Sequence, residues 1–592
     1  FRSASLLDWH PAKREILIST RFGDVPQVHH VAMPGGARTQ LTFFSDRVTG
    51  ASYQPADGSF LLFSKDTGGG EFYQLHRFDP AGGRYTLLTD GKSRNTAVTW
   101  ARDGSRIAWA STRRNGRDTD IWVMDPRNPA SARLLVEVFG GGWEPVEWSP
   151  DGRRLLIAET KSVNESSLFL VDPGSGAKEA VTPPGPPAYY GSAVFAADGN
   201  GVYLITDRDS NFRRLAYLDL ASRRLRFLRP DLRRDLSRLA ITKDGRWLAY
   251  VVNEDGAEVL HVLDTATEKE LSLPKLPYGV IGGLRWHNNG RDLGFTFSSA
   301  RSPSDVYSID VEAGTLTRWT FSETGGLNAA EFSEPELIRW KSFDGLTITG
   351  FLYLPPKRFP GPRPVIVNIH GGPEGQSQPT FLGRNNYYLN ELGIALIYPN
   401  VRGSTGFGKE FVNLDNGYKR EDSVRDIGAL LDWIAADPRL DSKRILVTGG
   451  SYGGYMTLAV MTHYSDRLCC GVDVVGISNF VSFLERTEAY RRDLRRAEYG
   501  DERDPKMREF LLSISPANNA RKITKPLFVV QGKNDPRVPA SESQQMVAAI
   551  RANGGTVWFL MADDEGHGFA KKKNQDFQFA ATVLFLERYL LK

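Results

Sequence analysis

The sequence of 592 residues predicts two domains of different fold class, because a chain of this length exceeds what one hydrophobic core supports. The N-terminal part repeats a turn-and-strand motif at intervals of 44 to 48 residues. The C-terminal part alternates apolar strand-like runs with helical runs, which is typical of an α/β fold with a parallel sheet. We place the boundary near Glu334, which gives domains at residues 1–333 and 334–592.

Each repeat combines an aromatic or apolar residue, a tight turn and an apolar strand. Five of the seven turns carry Asp-Gly and one carries Asn-Gly, the pairs that tight hairpins favour. The repeats begin at Trp9, Tyr53, Trp100, Trp148, Phe195, Ile241 and Trp286. This period, with several strands per unit, predicts a seven-bladed β-propeller rather than a β-sandwich with coincidental spacing. We expect the aromatic residues to pack between blades and not to bind a ligand.

The pentapeptide Gly-Gly-Ser-Tyr-Gly at residues 449–453 is the strongest motif of the C-terminal part. A strand-like run at 444–448 leads into it and a helical run at 455–462 follows it. Strand, sharp turn and helix in this order form a nucleophile elbow, which predicts an α/β-hydrolase domain with Ser451 as the nucleophile. The glycines fit because the turn strains the serine backbone and brings strand and helix close together. The alternative interpretation is a glycine-rich turn whose serine has no catalytic role.

A serine nucleophile needs a histidine base and an acid that orients the base. The C-terminal part contains His370, His463 and His567. The first opens a glycine-rich stretch and the second ends the helix after the elbow, where a structural role fits better. His567 lies in a loop between the last strand-like run and a C-terminal helical run, where this fold carries its base.

The acid is expected between serine and histidine in chain order. Asp535 fits, since it lies in a loop directly after the apolar run at 526–530. Asp563 and Asp564 are rivals, but they are so near His567 in sequence that we expect them to shape its loop instead.

An oxyanion hole needs backbone N–H groups directed at the developing negative charge. The residue after the nucleophile, Tyr452, provides one such group. The second is expected after the strand-like run at 364–369, where the His-Gly-Gly stretch at 370–372 matches the element that esterases and related hydrolases use. An ordinary tight turn is the alternative interpretation of that stretch.

Four motifs together resemble the prolyl oligopeptidase family of serine peptidases, and the resemblance covers essentially the whole chain. They are Gly-Ser-Tyr-Gly-Gly-Tyr at 450–455, Asn-Val-Arg-Gly-Ser-Thr-Gly-Phe-Gly at 400–408, Asn-Asp-Pro-Arg-Val-Pro at 534–539 and Gly-His-Gly at 566–568. The His-Gly-Gly-Pro stretch is similar to the acylaminoacyl-peptidase and bacterial dipeptidyl-aminopeptidase-like branch. In that branch a backbone N–H near Gly372 serves the oxyanion.

The resemblance also implies substrate-binding residues. Arg537 matches the arginine that grips the carbonyl of the P2 residue, for which a guanidinium is chemically suited; a surface salt bridge is the alternative. Five residues resemble the wall of the family's S1 pocket: Ile477, Phe480, Phe483, Val538 and Tyr452 through its ring. Apolar packing without a role in binding is the alternative for each of them.

Dipeptidyl peptidases of this family bind the free amino group of the substrate through acidic propeller residues. Glu71 and Glu144 are candidates for that role, although a solvated carboxylate is the simpler interpretation of each. No Glu-Glu pair of the strict dipeptidyl branch occurs in the propeller half.

Composition excludes several other function classes. The 74 basic and 70 acidic residues nearly cancel, which argues against nucleic acid as a partner. The basic run at 491–496 is expected to be a solvated helix face. No apolar run is long enough to span a membrane, and no metal-ligand spacing or need for a cofactor is evident.

The two cysteines, Cys469 and Cys470, are adjacent, and no disulfide is expected between them. This fits a cytoplasmic location without excluding a periplasmic one. Because the chain begins at Phe1, we favour a processed periplasmic or secreted protein.

The sequence therefore predicts a cofactor-independent serine peptidase that cleaves short peptides through an acyl-enzyme. A carboxylesterase or an acylaminoacyl-releasing hydrolase on the same scaffold is the alternative. A propeller-based binding protein with an inactive hydrolase domain is disfavoured, because every catalytic part is present.

Overall fold

A computed structural model describes all residues from 1 to 592, and the chain divides into two compact units. One unit comprises residues 1–67, 71–325 and 489–494. The other comprises residues 68–70, 326–488 and 495–592. The predicted division at residues 333 and 334 stays a prediction.

The first unit contains seven antiparallel sheets, each built from consecutive strands, as the repeats predict. Six sheets have four strands and the sixth in chain order has three, with its fourth strand reduced to a bridge between Leu263 and Glu270. The strands by sheet are β1 (Ala4–Trp9), β2 (Ile16–Thr20), β3 (Gln27–Val31) and β4 (Thr39–Gln40); β5 (Val48–Tyr53), β6 (Leu61–Lys65), β7 (Gln74–Asp79) and β8 (Arg84–Leu87); β9 (Asn95–Trp100), β10 (Ile107–Ser111), β11 (Asp120–Asp125) and β12 (Asn128–Val136); β13 (Trp143–Trp148), β14 (Leu155–Ser162), β15 (Glu165–Val171) and β16 (Lys178–Ala180); β17 (Tyr190–Phe195), β18 (Gly201–Thr206), β19 (Arg214–Asp219) and β20 (Leu225–Phe227); β21 (Leu236–Ile241), β22 (Trp247–Glu254) and β23 (Ala257–Asp264); β24 (Val280–Trp286), β25 (Asp292–Ser299), β26 (Ser302–Asp310) and β27 (Thr315–Arg318).

The Asp-Gly and Asn-Gly turns share one geometry. In each, the Asp or Asn side chain accepts a hydrogen bond from the backbone N–H two residues on, at 2.8 to 3.0 Å. The following glycine has φ between 69° and 76°, a conformation that disfavours side chains. These turns join the first and second strands of six sheets, and they explain why the repeat is visible in the sequence.

The aromatic residues of the repeats bind neighbouring sheets together, as expected. The indole N–H groups of Trp100, Trp148 and Trp286 each donate to the first strand of the preceding sheet, at 2.9 to 3.3 Å. Trp9 donates to the carbonyl of Arg285 at 3.0 Å, which joins the first sheet to the last. This contact closes the ring of the seven-bladed propeller.

The second unit is an α/β-hydrolase fold built on one eight-stranded sheet. Its strand order is β28-β29-β31-β30-β32-β33-β34-β35, and all neighbouring strands from β31 to β35 are parallel. The strands are β28 (Glu336–Lys341), β29 (Thr347–Tyr353), β30 (Arg363–Ile369), β31 (Ala395–Asn400), β32 (Leu440–Gly450), β33 (Cys470–Val474), β34 (Leu527–Gly532) and β35 (Val557–Ala562). The carboxyl ends of parallel strands lie at one edge, where such folds carry their sites.

Helices cover this sheet. They are α1 (Asn386–Asn390), α2 (Lys409–Val412), α3 (Asp422–Ala436), α4 (Tyr452–His463), α5 (Phe480–Arg486), α6 (Arg492–Tyr499), α7 (Pro505–Ile514), α8 (Ala540–Ala552) and α9 (Lys572–Tyr589). Nearly every residue of α4 is buried between sheet and neighbouring helices, so the segment after the elbow is rigidly held. No helix is long and apolar enough to cross a bilayer.

Candidate active site

Ser451 lies in the sharp turn between β32 and α4. Its backbone has φ 60° and ψ −121°, a strained conformation for a residue with a side chain, and its N–H donates to Val474 O at 2.9 Å. A Cβ atom on Gly453 would lie 2.1 Å from the carbonyl oxygen of Ile369, so only glycine fits where α4 meets β30. The local structure is that of a nucleophile elbow.

Asp535 and His567 lie together in the loops after β34 and β35. Nδ1 of His567 is 2.7 Å from Oδ2 of Asp535. The other carboxylate oxygen, Oδ1, accepts the backbone N–H groups of Arg537 and Val538 at 2.8 and 3.0 Å. The Asp535 side chain is fully buried and the His567 ring is 11% exposed. The carboxylate therefore has a fixed orientation from which it holds the imidazole.

No hydrogen bond joins the ring of His567 to Ser451 in this structure. Catalytic hydrogen bonds are often long in the absence of substrate and tighten in the complex.

The rival acids have other partners. Asp563 pairs with Lys533 at 3.2 Å, and Asp564 pairs with Lys571 at 2.9 Å. Glu565 could not be singled out from the sequence, yet its buried carboxylate accepts the N–H groups of Ala570 and Lys571, both at 2.9 Å. Glu565 thus fixes the end of the histidine loop to the start of α9.

The His-Gly-Gly stretch lies beside Ser451. A Cβ atom on Gly371 would be 3.3 Å from Cβ of Ser451 and 2.9 Å from the carbonyl oxygen of Gly450. Gly372 has φ 128°, and a Cβ there would meet the backbone nitrogen of Glu374 at 2.3 Å, which explains the glycine. The N–H of Gly372 donates to no protein acceptor. It is therefore available to an oxyanion.

The predicted S1-wall residues form one buried aromatic and aliphatic cluster. Tyr452, Ile477, Phe480, Phe483 and Val538 are each at most 2% exposed. Two further aromatic residues of this cluster were not identified from the sequence. Tyr455 lies 4.6 Å from Phe480, between ring centroids, and Tyr499 lies 5.1 Å from the same ring.

A buried ion cluster lies behind these rings. The fully buried guanidinium of Arg420 donates to Asp415 at 2.7 Å, to Glu498 at 2.8 Å and to the Tyr452 hydroxyl at 3.1 Å. Burial raises the pKa of Asp415 well above its usual value, with Arg420 opposing that rise, and burial also raises the pKa of Glu498. The cluster holds the ring of Tyr452, the residue after Ser451.

The expectation of a solvated basic face at residues 491–496 is wrong for two of its arginines. The Arg495 side chain is 12% exposed and pairs with Glu374, while that of Arg496 is 15% exposed and pairs with Glu502. The guanidinium of Arg495 also donates to the Gly372 carbonyl at 3.1 Å. One face of α6 therefore packs against the protein, which a run of like charges in the sequence does not reveal.

The other substrate-binding candidates occupy different environments. Arg537 is an exposed residue of the Asp535 loop. Glu71 is buried in the propeller unit with φ 60°, and its N–H donates to Asp66 at 2.9 Å. Glu144 lies in β13 on the wall of a propeller cavity of about 620 Å³. Desolvation by the surrounding walls raises the pKa of Glu144, although Arg94 opposes the rise.

Two family models match the sequence, one in the propeller part and one in the hydrolase part. Residues 46–322 match the N-terminal β-propeller domain of prolyl oligopeptidases, and residues 379–592 match the prolyl oligopeptidase family of peptidases. Dipeptidyl aminopeptidase BIII of Pseudoxanthomonas mexicana is 32% identical over 564 residues, covering 91% of this chain and 79% of that protein.

Solved structures share the fold. A puromycin-hydrolyzing peptidase of Mycobacterium tuberculosis aligns with a TM-score of 0.84 at 20% identity, over 100% of this chain and 94% of that chain. The acylaminoacyl peptidase of Pyrococcus horikoshii aligns with a TM-score of 0.75 at 19% identity, over 100% and 96% of the two chains. These matches confirm the predicted family and fold: the chain belongs to the prolyl oligopeptidase family of serine peptidases.

Proposed function

We propose that Ser451, Asp535 and His567 form the catalytic triad of a peptidase for short peptides. Ser451 attacks the scissile carbonyl, His567 takes the proton and returns it to the leaving amine, and Asp535 orients the imidazole. An acyl-enzyme forms and water then hydrolyses it. The observation that carries the proposal is the 2.7 Å contact between His567 Nδ1 and Asp535, in the same unit as a serine with elbow geometry.

The N–H groups of Tyr452 and Gly372 are the proposed oxyanion donors. Ser451 begins the turn that precedes α4, so the Tyr452 N–H is the first of the helix and has no acceptor within it. A Cβ atom on Gly371 would lie only 3.3 Å from Cβ of Ser451, and this closeness supports the adjacent Gly372 N–H as the second donor. Each such donor stabilises the transition state by ~3 to 4 kcal/mol.

Substrate recognition is proposed on the amino-terminal side of the scissile bond. Arg537 grips the P2 carbonyl, and the buried cluster of Ile477, Phe480, Phe483 and Val538 receives the P1 side chain. The relative from Pseudoxanthomonas mexicana is named a dipeptidyl aminopeptidase, which supports release of dipeptides from a free amino terminus.

A panel of fluorogenic amides tests the reaction class. It combines dipeptidyl amides with a free amino end, the same amides acetylated, aminoacyl amides and activated esters. We expect turnover of the free dipeptidyl amides. Turnover of esters alone would instead show a carboxylesterase, and turnover restricted to acetylated amides would show an acylaminoacyl-releasing enzyme.

Histidine variants provide a matched control in the same assay. His567→Asn should abolish turnover, because His567 is the histidine that Asp535 orients. His463→Asn should retain it, since His463 pairs with Glu421 at the end of α4. Equal losses in both variants would contradict the assignment of the base.

We also propose that the propeller limits substrates to short peptides. A folded protein and its short synthetic fragments, incubated with the enzyme and analysed by mass spectrometry, test this. Fragments should be cut and the folded protein should stay intact; efficient cleavage of the folded protein would refute the restriction.

A further inference from the structure

The motif at residues 400–408 supports the loop that contains Gly371 and Gly372. The side-chain amide of Asn400 bonds both the N–H and the carbonyl of Ser377, at 2.6 and 3.0 Å. The hydroxyl of Thr405 donates to the carbonyl of Glu374 at 3.0 Å. Fully buried Ser404 lies with its Oγ 2.7 Å from Nε2 of His370. The motif thus contacts the stretch 370–377 at three points.

The ring of His370 bridges Ser404 and a backbone carbonyl. Its Nδ1 lies 2.8 Å from the carbonyl oxygen of Gly371. A carbonyl only accepts, so Nδ1 must carry the hydrogen. Burial lowers the pKa of His370, which favours the neutral ring and leaves Nε2 as an acceptor.

Ser404 selects this tautomer when its hydroxyl donates to Nε2. The hydroxyl is also 2.6 Å from the carbonyl of Val401, so one proton has two possible acceptors. The Val401 carbonyl keeps another partner, because the backbone N–H of Ser404 donates to it at 3.1 Å. Nε2 has no other donor, and donation to the imidazole therefore satisfies both acceptors.

The held carbonyl belongs to the same peptide as the oxyanion donor. In a trans peptide the C=O and N–H groups point in opposite directions, so fixing Gly371 O fixes the direction of the Gly372 N–H. The next carbonyl is held as well: Gly372 O accepts from Arg495 at 3.1 Å and from the Tyr499 hydroxyl at 3.3 Å. Both sides of Gly372 are thereby fixed.

We propose that His370, held by Ser404, is a positioning residue that aims the Gly372 N–H at the oxyanion, with Arg495 fixing the following carbonyl. The inference rests on the proposed function of Ser451 and Gly372. It assigns a role in catalysis to a histidine that does not exchange a proton with substrate. It also explains why the motif at 400–408 accompanies the elbow.

The test compares binding of a peptidyl aldehyde, which forms a tetrahedral oxyanion on the serine, with binding of substrate. Loss of a whole oxyanion donor costs 100- to 1000-fold, so a misdirected donor should cost about 10- to 100-fold. In Ser404→Ala, kcat/KM should fall and the aldehyde Ki should rise by the same factor. The Kd of an uncleaved peptide, measured in the Ser451→Ala background, should not change.

Two further variants control the comparison. Ser404→Thr keeps the hydroxyl and should recover most of the aldehyde affinity. Thr462→Val removes another buried hydroxyl, which bonds Leu458 O within α4, and should leave both constants unchanged. Circular dichroism checks folding; if Ser404→Ala does not fold, Arg495→Met carries the same test with the same expected pattern.

The outcomes separate the inference from the function on which it rests. Failure of a fluorophosphonate to label Ser451 in the wild type would overturn the proposed function and this inference with it. Labelling of the wild type together with unchanged aldehyde affinity in Ser404→Ala and Arg495→Met would overturn the inference alone. Equal weakening of aldehyde and uncleaved peptide would show a merely structural role and would also overturn it.

Discussion

Replacing Asp473 by asparagine should change how the stability of the hydrolase unit depends on pH. Asp473 lies in β33 opposite Gly449 and is fully buried, with the backbone of Gly476 beside its carboxylate. Burial raises its pKa from 3.8 to about 7, with the backbone N–H of Gly476 partly opposing the rise. The folded state therefore holds a proton on Asp473 that the unfolded state has already lost above pH 4.

The sign and size of the effect follow from this difference in pKa. The pKa of Asp473 is higher in the folded state than in the unfolded state. The stabilisation that this group provides is therefore complete below pH 4 and is lost as the pH rises through 7. A difference of about three pKa units corresponds to ~4 kcal/mol. Asparagine resembles the protonated acid and does not titrate, so Asp473→Asn should lack this loss.

Urea unfolding of wild type and Asp473→Asn at several pH values between 4 and 8 measures the effect. The free energy of unfolding of the variant, relative to wild type, should rise by about 4 kcal/mol across this range. Asp563→Asn is the control, since its side chain is 82% exposed, and it should run parallel to wild type. A constant difference between Asp473→Asn and wild type at all pH values would refute the reasoning.

Three other substitutions have defined outcomes. Arg420→Met leaves two carboxylates buried without their partner and should lower the free energy of unfolding by ~3 to 5 kcal/mol, measured by urea unfolding; a loss below ~1 kcal/mol would contradict a structural role for the cluster. Gly371→Ala introduces a Cβ 2.9 Å from the Gly450 carbonyl, so kcat/KM should fall about 100-fold by displacement of an oxyanion donor, and unchanged activity would place the oxyanion elsewhere. Arg537→Ala should weaken peptide substrates by ~2 to 3 kcal/mol in kcat/KM while sparing small activated esters, and equal losses on both would refute its contact with the P2 carbonyl.

The fold was predictable because its signals are local. Six of the seven propeller turns have a short Asp or Asn side chain followed by a glycine at positive φ, and that chemistry recurs visibly along the sequence. The elbow is equally local, since strand, turn and helix adjoin one another. The strands and helices that surround it follow from apolar runs of the expected lengths.

Element ends were less predictable. The helical run after the elbow suggested a start near Tyr455, but α4 begins at Tyr452. Gly453 and Gly454 are poor helix formers, yet both lie within α4, where a Cβ atom would clash with Ile369 or Gly476. Tertiary contacts thus override local propensity.

The supporting residues of the site were least predictable. Arg495 and Tyr499 both reach Gly372 O because they are four residues apart on α6, yet the partner is more than 120 positions away in sequence. A single sequence contains no signal for such a contact. The basic residues beside Arg495 even suggested solvent exposure, because like charges in a run are usually solvated.

The central claim is that Ser451 is the nucleophile, and covalent labelling tests it most directly. The purified protein is treated with a fluorophosphonate, digested and mapped by tandem mass spectrometry, with Ser451→Ala treated in parallel. We expect a single adduct on Ser451, loss of peptidase activity in proportion to labelling, and no adduct in the alanine variant. An adduct on another serine, or equal labelling of both proteins, would contradict the account.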